Sequence, residues 1–426
     1  MHDEDLPRID RLGGSLARKS VQRVRRITDR IANRISRRGE EDGAPAADRK
    51  ALARARKARR TLRLERAPER ILVVKLWGLG NLVLAGRALT SLRRAYPNAR
   101  TTLLTTPRCV QIYEKNNLYD TTVVFDPDEG RSLGSAMNEL CERLAGEGFD
   151  LAVNLEGLSE LARHVTLQSG AAATVGFAPE GEGCGPYDAA APFLAGCHVE
   201  DLLYEVARVA GGKKVGAGLV APSVRGQERG YCDEVLNRLE LDPHALLVGI
   251  DANAGGFAPE RQWPIEKFAL LAQRIEAEPE FRTLFFGGPR EERRVAQAVK
   301  LMAEPGINVA GLFSIRQTMA FLERLHLFIG NDAGPAHLAA ALGVPTVVIY
   351  GPESPARVGR RGDERHAAVY HARDCSPCVS LLGMERRPCA HGAKCVREIP
   401  VEEVYGVVRD VLDHLSDPDD PPWLAS

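Results

Sequence analysis

The strongest pattern in the chain is an alternation of short apolar runs and helically spaced stretches that begins at residue 69. Ile71 to Leu76 is the near-continuous apolar run of a parallel strand covered on both faces. A glycine turn follows, then helical spacing from Leu82 to Tyr96, closed by Pro97-Asn98. Further apolar runs at Thr121 to Phe125 and Leu151 to Leu155, with a helical segment from Ser135 to Gly146 between them, predict a doubly wound α/β domain. A second series starts at Leu246 with LLVGIDAN, then the helix Ile265 to Ala277, the strand TLFFGG, the helix Glu291 to Ala303, LHLFIGND, the helix Gly334 to Leu342 and PTVVIYG. Two Rossmann-like domains, 69–225 and 226–400, are therefore expected on either side of a less patterned link from Pro222 to Asp242, with ligands in the cleft outside the strands' carboxyl ends. A last helix, Val401 to Leu415 within a terminal segment 401–416, is expected to return to the first domain.

Residues 1–68 do not follow this pattern. The whole chain of 426 residues balances 57 Lys and Arg against 57 Asp and Glu, yet this extension holds about 20 basic and about 10 acidic residues, leaving the remainder near −10. Leu12, Leu16, Val21, Val24, Ile27, Ile31 and Ile35 recur at three to five residues among arginines, the pattern of a basic amphipathic helix. Two readings stay open: a solvated, partly disordered tail, or attachment to the anionic inner face of a membrane. No aromatic platform accompanies the charges, which argues against nucleic acid. The first residues lack a basic n-region and an apolar h-region, and no run of about 18 apolar residues is present, so a cytoplasmic location is expected, at most peripheral on the membrane.

Chemistry concentrates at three turns of the second series. Asn331-Asp332 ends a strand before GPAHLAAALGVP, where Gly334 permits close backbone approach and Pro335 suits a first helical turn. A helix N-terminus there suits a diphosphate without a metal; Asp332 would repel phosphate and fits a cap or a bond from a sugar hydroxyl, and an ordinary capped turn with His337 packed in it is the plain alternative. In ANAGGFAPERQWP, Asn253 and Gly255 belong to a loop of small residues that wraps an anion, Arg261 adds a guanidinium fork, and Trp263 supplies a flat apolar wall. In FFGGPREE, Glu291 either satisfies a helix dipole or grips ribose hydroxyls.

These segments, with ILVVKLWGLGNLVLAGRALTSLRRAYPNA near the start and NDAGPAHLAAALGVPTVVIYGP near the end, resemble the bacterial heptosyltransferases of glycosyltransferase family 9 over about residues 69 to 412. The resemblance implies a GT-B fold and inverting, metal-independent transfer of a sugar, heptose from ADP-heptose, to a lipopolysaccharide-core or related lipid-linked acceptor. It implies that Arg261 takes the place of the basic diphosphate ligand, that Asp332, Gly334 and His337 match the donor-binding turn, and that Lys75 faces the acceptor. One departure stands out. The family's first glycine turn ends in Gly-Asp, whose Asp is the general base; here the pair is Gly80-Asn81, and an amide does not take a proton. Asn81 is then expected to orient the acceptor, with Glu156 in the NLEGL turn as the candidate base. The alternative is a nucleotide-sugar-binding protein without turnover. A dehydrogenase is disfavoured because GLGNLVL lacks the third glycine of a dinucleotide turn; a retaining enzyme is separable by product stereochemistry.

Cys375, Cys378, Cys389 and Cys395 form a compact cluster that suits a structural zinc or an iron–sulfur centre, with disulfides or reduced thiols as the other readings. No cofactor is expected for catalysis itself.

Overall fold

The computed structural model describes residues 50, 53–54, 61–127, 132–303, 306–380, 382 and 385–415. The basic amphipathic stretch expected over residues 12–38 lies outside them. Contacts group the chain into two compact units: 1–76, 88–107 and 119–215 form the first, and 77–87, 108–118 and 216–426 the second.

The first sheet is built from β1 (Arg70–Val74), β2 (Arg100–Thr105), β3 (Thr121–Val124), β4 (Leu151–Asn154), β5 (Ala173–Pro179) and β6 (Ala189–Phe193), with α1 (Leu79–Ala95), α2 (Leu133–Ala145), α3 (Glu160–Leu167) and α4 (Val199–Val209) in its crossovers. All neighbours are parallel, in the order β3-β2-β1-β4-β5-β6. Ile71, Leu72, Val73 and Val74 are each 0% exposed, which explains the uninterrupted apolar run of β1. β5 and β6 escape the sequence pattern because β6 is alanine-rich and Gly176, Pro179 and Pro192 break the apolar runs of the two strands.

The link from Pro222 to Asp242 contains a helix, α5 (Gly226–Arg238). Its buried residues are only Glu228, Cys232 and Val235, so its apolar stripe is too thin to register as a helical period. Burial of Glu228 is made possible by Arg316, whose Nε lies 3.1 Å from Oε1, and by Arg225, whose Nη2 lies 2.7 Å from the same oxygen.

The second sheet repeats the topology of the first. β7 (Leu246–Asp251), α6 (Ile265–Glu276), β8 (Phe281–Phe285), α7 (Glu292–Lys300) and β9 (Ile307–Asn308) are followed by α8 (Ile315–Leu322), β10 (Leu327–Asn331), α9 (Gly334–Ala341) and β11 (Thr346–Tyr350). The chain closes with α10 (Pro355–Val358), β12 (His366–Tyr370), the short antiparallel pair β13 (Val379–Ser380) and β14 (Glu385–Arg386), α11 (Lys394–Arg397) and α12 (Val401–Leu415). Sheet order is β12-β11-β10-β7-β8-β9, again parallel throughout.

The expectation that the last helix returns to the first domain is corrected here. α12 puts Val404, Val408, Val411 and Leu412 into the core of the second unit, beside Trp263, Phe268, Val369 and Ile399. Each such burial stabilises by about 1.5–3 kcal/mol before entropy is counted. At its polar margin the guanidinium of Arg274 stacks 4.4 Å over the Tyr405 ring, so the helix's apolar stripe is committed to α6, β11 and β12.

No described helix is long and apolar enough to cross a membrane.

Candidate functional site

Both sheets reverse their strand order at one place, between β1 and β4 in the first and between β7 and β10 in the second. Crossovers leave such a pair in opposite directions, so the carboxyl ends of the two strands stay uncovered by helices, the usual place for a ligand in an open α/β sheet. Polar residues gather at both reversals.

In the first unit β1 delivers Lys75 and β4 leads into Glu156, and Lys75 Nζ donates to Glu156 Oε1 at 2.6 Å with both side chains 0% exposed. The turn is held by its own neighbours: Asn154 Oδ1 accepts the Glu156 N–H at 2.8 Å, and Asn154 Nδ2 donates to the Tyr187 hydroxyl at 2.8 Å. Burial pushes that hydroxyl up to about 12, so it stays protonated at any physiological pH. The sequence offered Lys75 as an acceptor contact and Glu156 as an accessible base. The structure brings them together as a buried ion pair, in which the Glu156 carboxylate already accepts from the Lys75 ammonium, unlike the accessible base expected.

In the second unit the polar web is denser. β7 ends in Asp251, whose Oδ1 accepts the Asn253 N–H at 3.0 Å and Asn253 Nδ2 at 2.9 Å. β10 ends in Asn331, whose Nδ2 donates to the Asn253 carbonyl at 3.1 Å and whose Oδ1 accepts the Trp263 N–H at 2.8 Å. Asn331 therefore ties the turn after β7 to the end of β10. Arg261, 5% exposed, spans the same gap, donating to the carbonyls of Asp332 and Ala254. Its Nη1 lies 3.8 Å from Asp332 Oδ2, and His337 Nε2 lies 3.5 Å from Asp332 Oδ1. Asp332 is 0% exposed, and neither of its carboxylate oxygens accepts a hydrogen bond among the described residues.

Two glycines allow the close packing around this carboxylate. A Cβ at Gly80 would lie 2.5 Å from His337 Cδ2, and one at Gly334 would lie 2.8 Å from Leu79 Cδ2, so the first turn of α1 and the start of α9 touch within the second unit. Asn81, 5% exposed, sits in the same turn of α1.

The other candidates fall in different places. Gly255 adopts the left-handed conformation at φ 67° with open space where a side chain would begin, in keeping with a loop that admits an approaching group. Glu291 uses Oε2 to accept the Gly288 N–H at 2.7 Å, closing the turn before α7. Trp263, expected as a wall of the site, is instead core: it is 0% exposed, packs edge-on against Phe268 at 4.9 Å and donates Nε1–H to the Ile399 carbonyl at 3.0 Å. Asp251, Asn154 and Tyr187 were not singled out from the sequence, and Asn331 was named only as the start of its turn. Asp251, Asn331 and Asn154 carry one shared signal, a polar residue ending an apolar run; Tyr187 carries none.

The cysteine cluster is present as four thiols without disulfides. Burial, with Cys375, Cys395 and Cys389 nearby, pushes Cys378 up to about 11, and Cys389 Sγ accepts the Ala393 N–H at 3.1 Å. Among the described residues no three His, Cys, Asp or Glu side chains are grouped so as to hold a metal ion.

With this geometry in hand, comparison with known proteins is direct. The model of glycosyltransferase family 9 (heptosyltransferase) matches residues 240–386, which include Asp251, Arg261, Asp332 and His337. Residues 240–386 are thus similar to a family 9 domain. Lipooligosaccharide heptosyltransferase 2 of Campylobacter jejuni is 27% identical over 183 residues, 41% of this chain and 54% of that protein. Lipooligosaccharide heptosyltransferase 2 of Haemophilus ducreyi is 34% identical over 125 residues, 28% of this chain and 35% of its own. The chain thus spans from about a third to about half the length of the curated relatives it matches. Among solved structures, a family 9 glycosyltransferase from Veillonella parvula superposes with TM-score 0.65 at 24% identity, covering 81% of this chain and 97% of that one. The ADP-heptose heptosyltransferase II of Escherichia coli gives 0.62 at 18% identity, covering 81% and 99%. The fold is accordingly that of the GT-B heptosyltransferases, and the segment matched to family 9 carries the second strand reversal.

Burial and the neighbouring Glu291 push Asp251 up to about 7, against the opposing pull of its Asn253 hydrogen bonds and of Arg294. A carboxyl whose pKa rises on folding from 3.8 contributes stability that is full below about pH 4 and is lost as the pH climbs through about 7. Asp251→Asn keeps the Oδ1 acceptor and removes the titration. Its melting temperature is expected to depend less on pH between about 4 and 7 than that of the wild type, measured by calorimetry at matched ionic strength; parallel curves for the two proteins would contradict the assignment.

Proposed function

We propose that this protein is an inverting, metal-independent glycosyltransferase that moves heptose from ADP-heptose to a lipopolysaccharide-core or related lipid-linked acceptor. The observation that carries the reading is Asp332: a fully covered carboxylate whose oxygens accept no hydrogen bond among the described residues, at a strand reversal within the segment matched to family 9. A buried acceptor of that kind calls for donors. Sugar hydroxyls supply O–H donors, whereas phosphate supplies only acceptors. In this reading the sugar of the donor meets Asp332, and the diphosphate meets the loop of Asn253 and Gly255, with Arg261 and the start of α9 providing positive potential. As the acceptor oxygen bonds to the anomeric carbon on one face and gives up its proton to solvent water, the bond to the diphosphate breaks on the other, and negative charge grows where the leaving diphosphate stands. Glu291, whose Oε2 also accepts the Gly288 N–H, is taken to meet the ribose in this reading. Support for the donor comes from the relatives, which are heptosyltransferases, and from the Escherichia coli neighbour described as an ADP-heptose enzyme.

Asn81 orients the acceptor hydroxyl in this scheme, beside Gly80 and His337. Glu156 fixes the Lys75 ammonium in place rather than taking the proton. Consumption of ADP-heptose by the purified chain with an acceptor lipid extract tests the reading, alongside GDP- and UDP-sugars. Arg261→Ala is expected to lower kcat/KM about 10²- to 10³-fold, the effect of removing one donor aimed at developing charge. Turnover that persists in EDTA with inversion at the anomeric carbon fits the scheme. Binding without turnover, restored to turnover by Asn81→Asp, would assign the native chain to sugar-nucleotide binding alone.

Two accessory readings belong to the proposal. The thiol cluster is taken as a structural zinc or iron site, supported by its sequence spacing and by the resemblance at TM-score 0.52 to TibC of Escherichia coli, an iron-containing glycosyltransferase, although among the described residues the four thiols are not grouped for a metal in this structure. No step of the transfer runs through it. Elemental analysis is expected to find about one zinc or iron per chain, lost in Cys389→Ser; a metal-free wild type would remove this reading. The basic extension is taken as an attachment to the anionic inner face of a cytoplasmic membrane. Deleting residues 1–66 is expected to abolish sedimentation with anionic vesicles, and unchanged sedimentation would sink the idea.

A further inference from the structure

The first unit carries a second polar cleft at the opposite margin of its sheet from Lys75 and Glu156. β1 and β2 open with Arg70 and Arg100, which are register partners, and Thr102 of β2 is paired in the same way with Thr121, the first residue of β3. Side chains alternate along a strand, so Arg100 and Thr102 share one face, and their partners Arg70 and Thr121 share it with them. Together with Arg143 near the end of α2 these residues line a cleft of about 200 Å³, with Glu147 at its rim.

The charge arrangement there is unusual. Two guanidinium-bearing residues set side by side in register repel each other, an arrangement that sheets avoid when nothing compensates it. Arg70 Nη1 donates to the Glu147 main-chain carbonyl, which satisfies one hydrogen without neutralising the charge. The carboxylate of Asp150 engages the main-chain N–H groups of Glu69 and Arg70 and the guanidinium of Arg66. Asp120 lies close enough to Arg100 to be held down by it, but its own oxygen is bonded by Arg93 at 2.8 Å and by the Thr101 N–H at 2.7 Å. Three arginines therefore face the cleft against the one carboxylate lining it, Glu147. The Thr102 and Thr121 hydroxyls, 3.0 Å apart, share one hydrogen bond and so leave one O–H to donate elsewhere.

We propose that this cleft is a binding site for a phosphate monoester group, free or carried on a lipid headgroup. A monoester brings about −1.5 to −2 charge near neutrality and acceptor oxygens, which matches a cleft whose arginines outnumber its carboxylates, Glu147 and the nearby Asp120 included, and which offers a set of donors. Planar guanidinium forks bind phosphate in two-pronged fashion. The cleft is smaller than the roughly 300–1,000 Å³ of sites for drug-sized ligands, so it suits a phosphate or a small phosphorylated headgroup and not a nucleotide sugar. It stands about 15 Å from Lys75 by the rise of β1, and the inference does not rest on the donor reading.

The test uses the full chain and the double variant Arg100→Gln/Arg143→Gln, both positions exposed, with a matched circular dichroism spectrum and melting temperature as the check on folding. Inorganic phosphate is titrated by calorimetry, and phosphatidylcholine vesicles with and without phosphatidic acid are sedimented with each protein. Phosphate binding is expected to weaken at least about tenfold in the double variant, the result of losing two charged donors. Loss confined to free phosphate identifies a small-anion site, and loss of binding to phosphatidic acid identifies a headgroup site. Equal binding by wild type and double variant in both arms, or no binding by either, overturns the proposal. Failure of the donor reading shows separately, as ADP-heptose that binds neither protein.

Discussion

A parallel sheet whose crossovers run both ways from a central strand leaves the carboxyl ends of two adjacent strands without a helix above them, and both sheets here are wound that way. Whatever stands at β1 and β4, or at β7 and β10, is surrounded by apolar strands and yet must be polar to bind anything. Such groups remain folded only if each finds a partner. The second unit solves this with Asn331, whose amide gives one hydrogen to the Asn253 carbonyl and takes one from the Trp263 N–H. An apolar residue there would leave both backbone groups buried and unpaired, at about 1–3 kcal/mol each. Arg261 then closes the same gap from its own side, so the loop after β7 is held against β10 by two independent residues.

The first unit solves the same problem with an ion pair. Burying Lys75 and Glu156 costs several kcal/mol per ion in lost hydration, and their attraction at 2.6 Å offsets this only while both are present. A pair of apolar residues of similar size would serve stability as well or better. The ion pair stands at the strand reversal, with Asn154 bonded to both the Glu156 N–H and the Tyr187 hydroxyl behind it.

Both strand series were legible in the sequence because parallel strands covered on both faces read as unbroken apolar runs, as Ile71 to Val74 and Leu327 to Ile329 do. β5 and α5 were not, the first because Gly176 and Pro179 break its apolar run and the second because its buried face holds Glu228 in place of a third apolar residue. The residues of the site were legible by type but not by partner. Trp263 looked like a ligand wall because it follows a basic turn, and only tertiary packing shows that its ring belongs with α12 and Ile399. Glu156 and Lys75 lie 81 positions apart, and no local pattern reveals that one neutralises the other.

Position 81 separates shape from proton transfer. The turn that holds Asn81 keeps its geometry: Gly78 is left-handed at φ 81°, a side chain there would press to 3.0 Å from Asn81 Nδ2, and Gly80 is packed against His337 so that nothing larger fits. A carboxylate in the first turn of α1 would also be favoured by the helix dipole, by about 0.3–1 kcal/mol. Asparagine forgoes that stabilisation and keeps the same volume and one acceptor oxygen. What it loses is the capacity to take a proton. Both glycines are required by the turn's own geometry, Gly78 by its left-handed backbone and Gly80 by its contact with His337, so the shape of the turn does not depend on whether position 81 is an amide or a carboxylate.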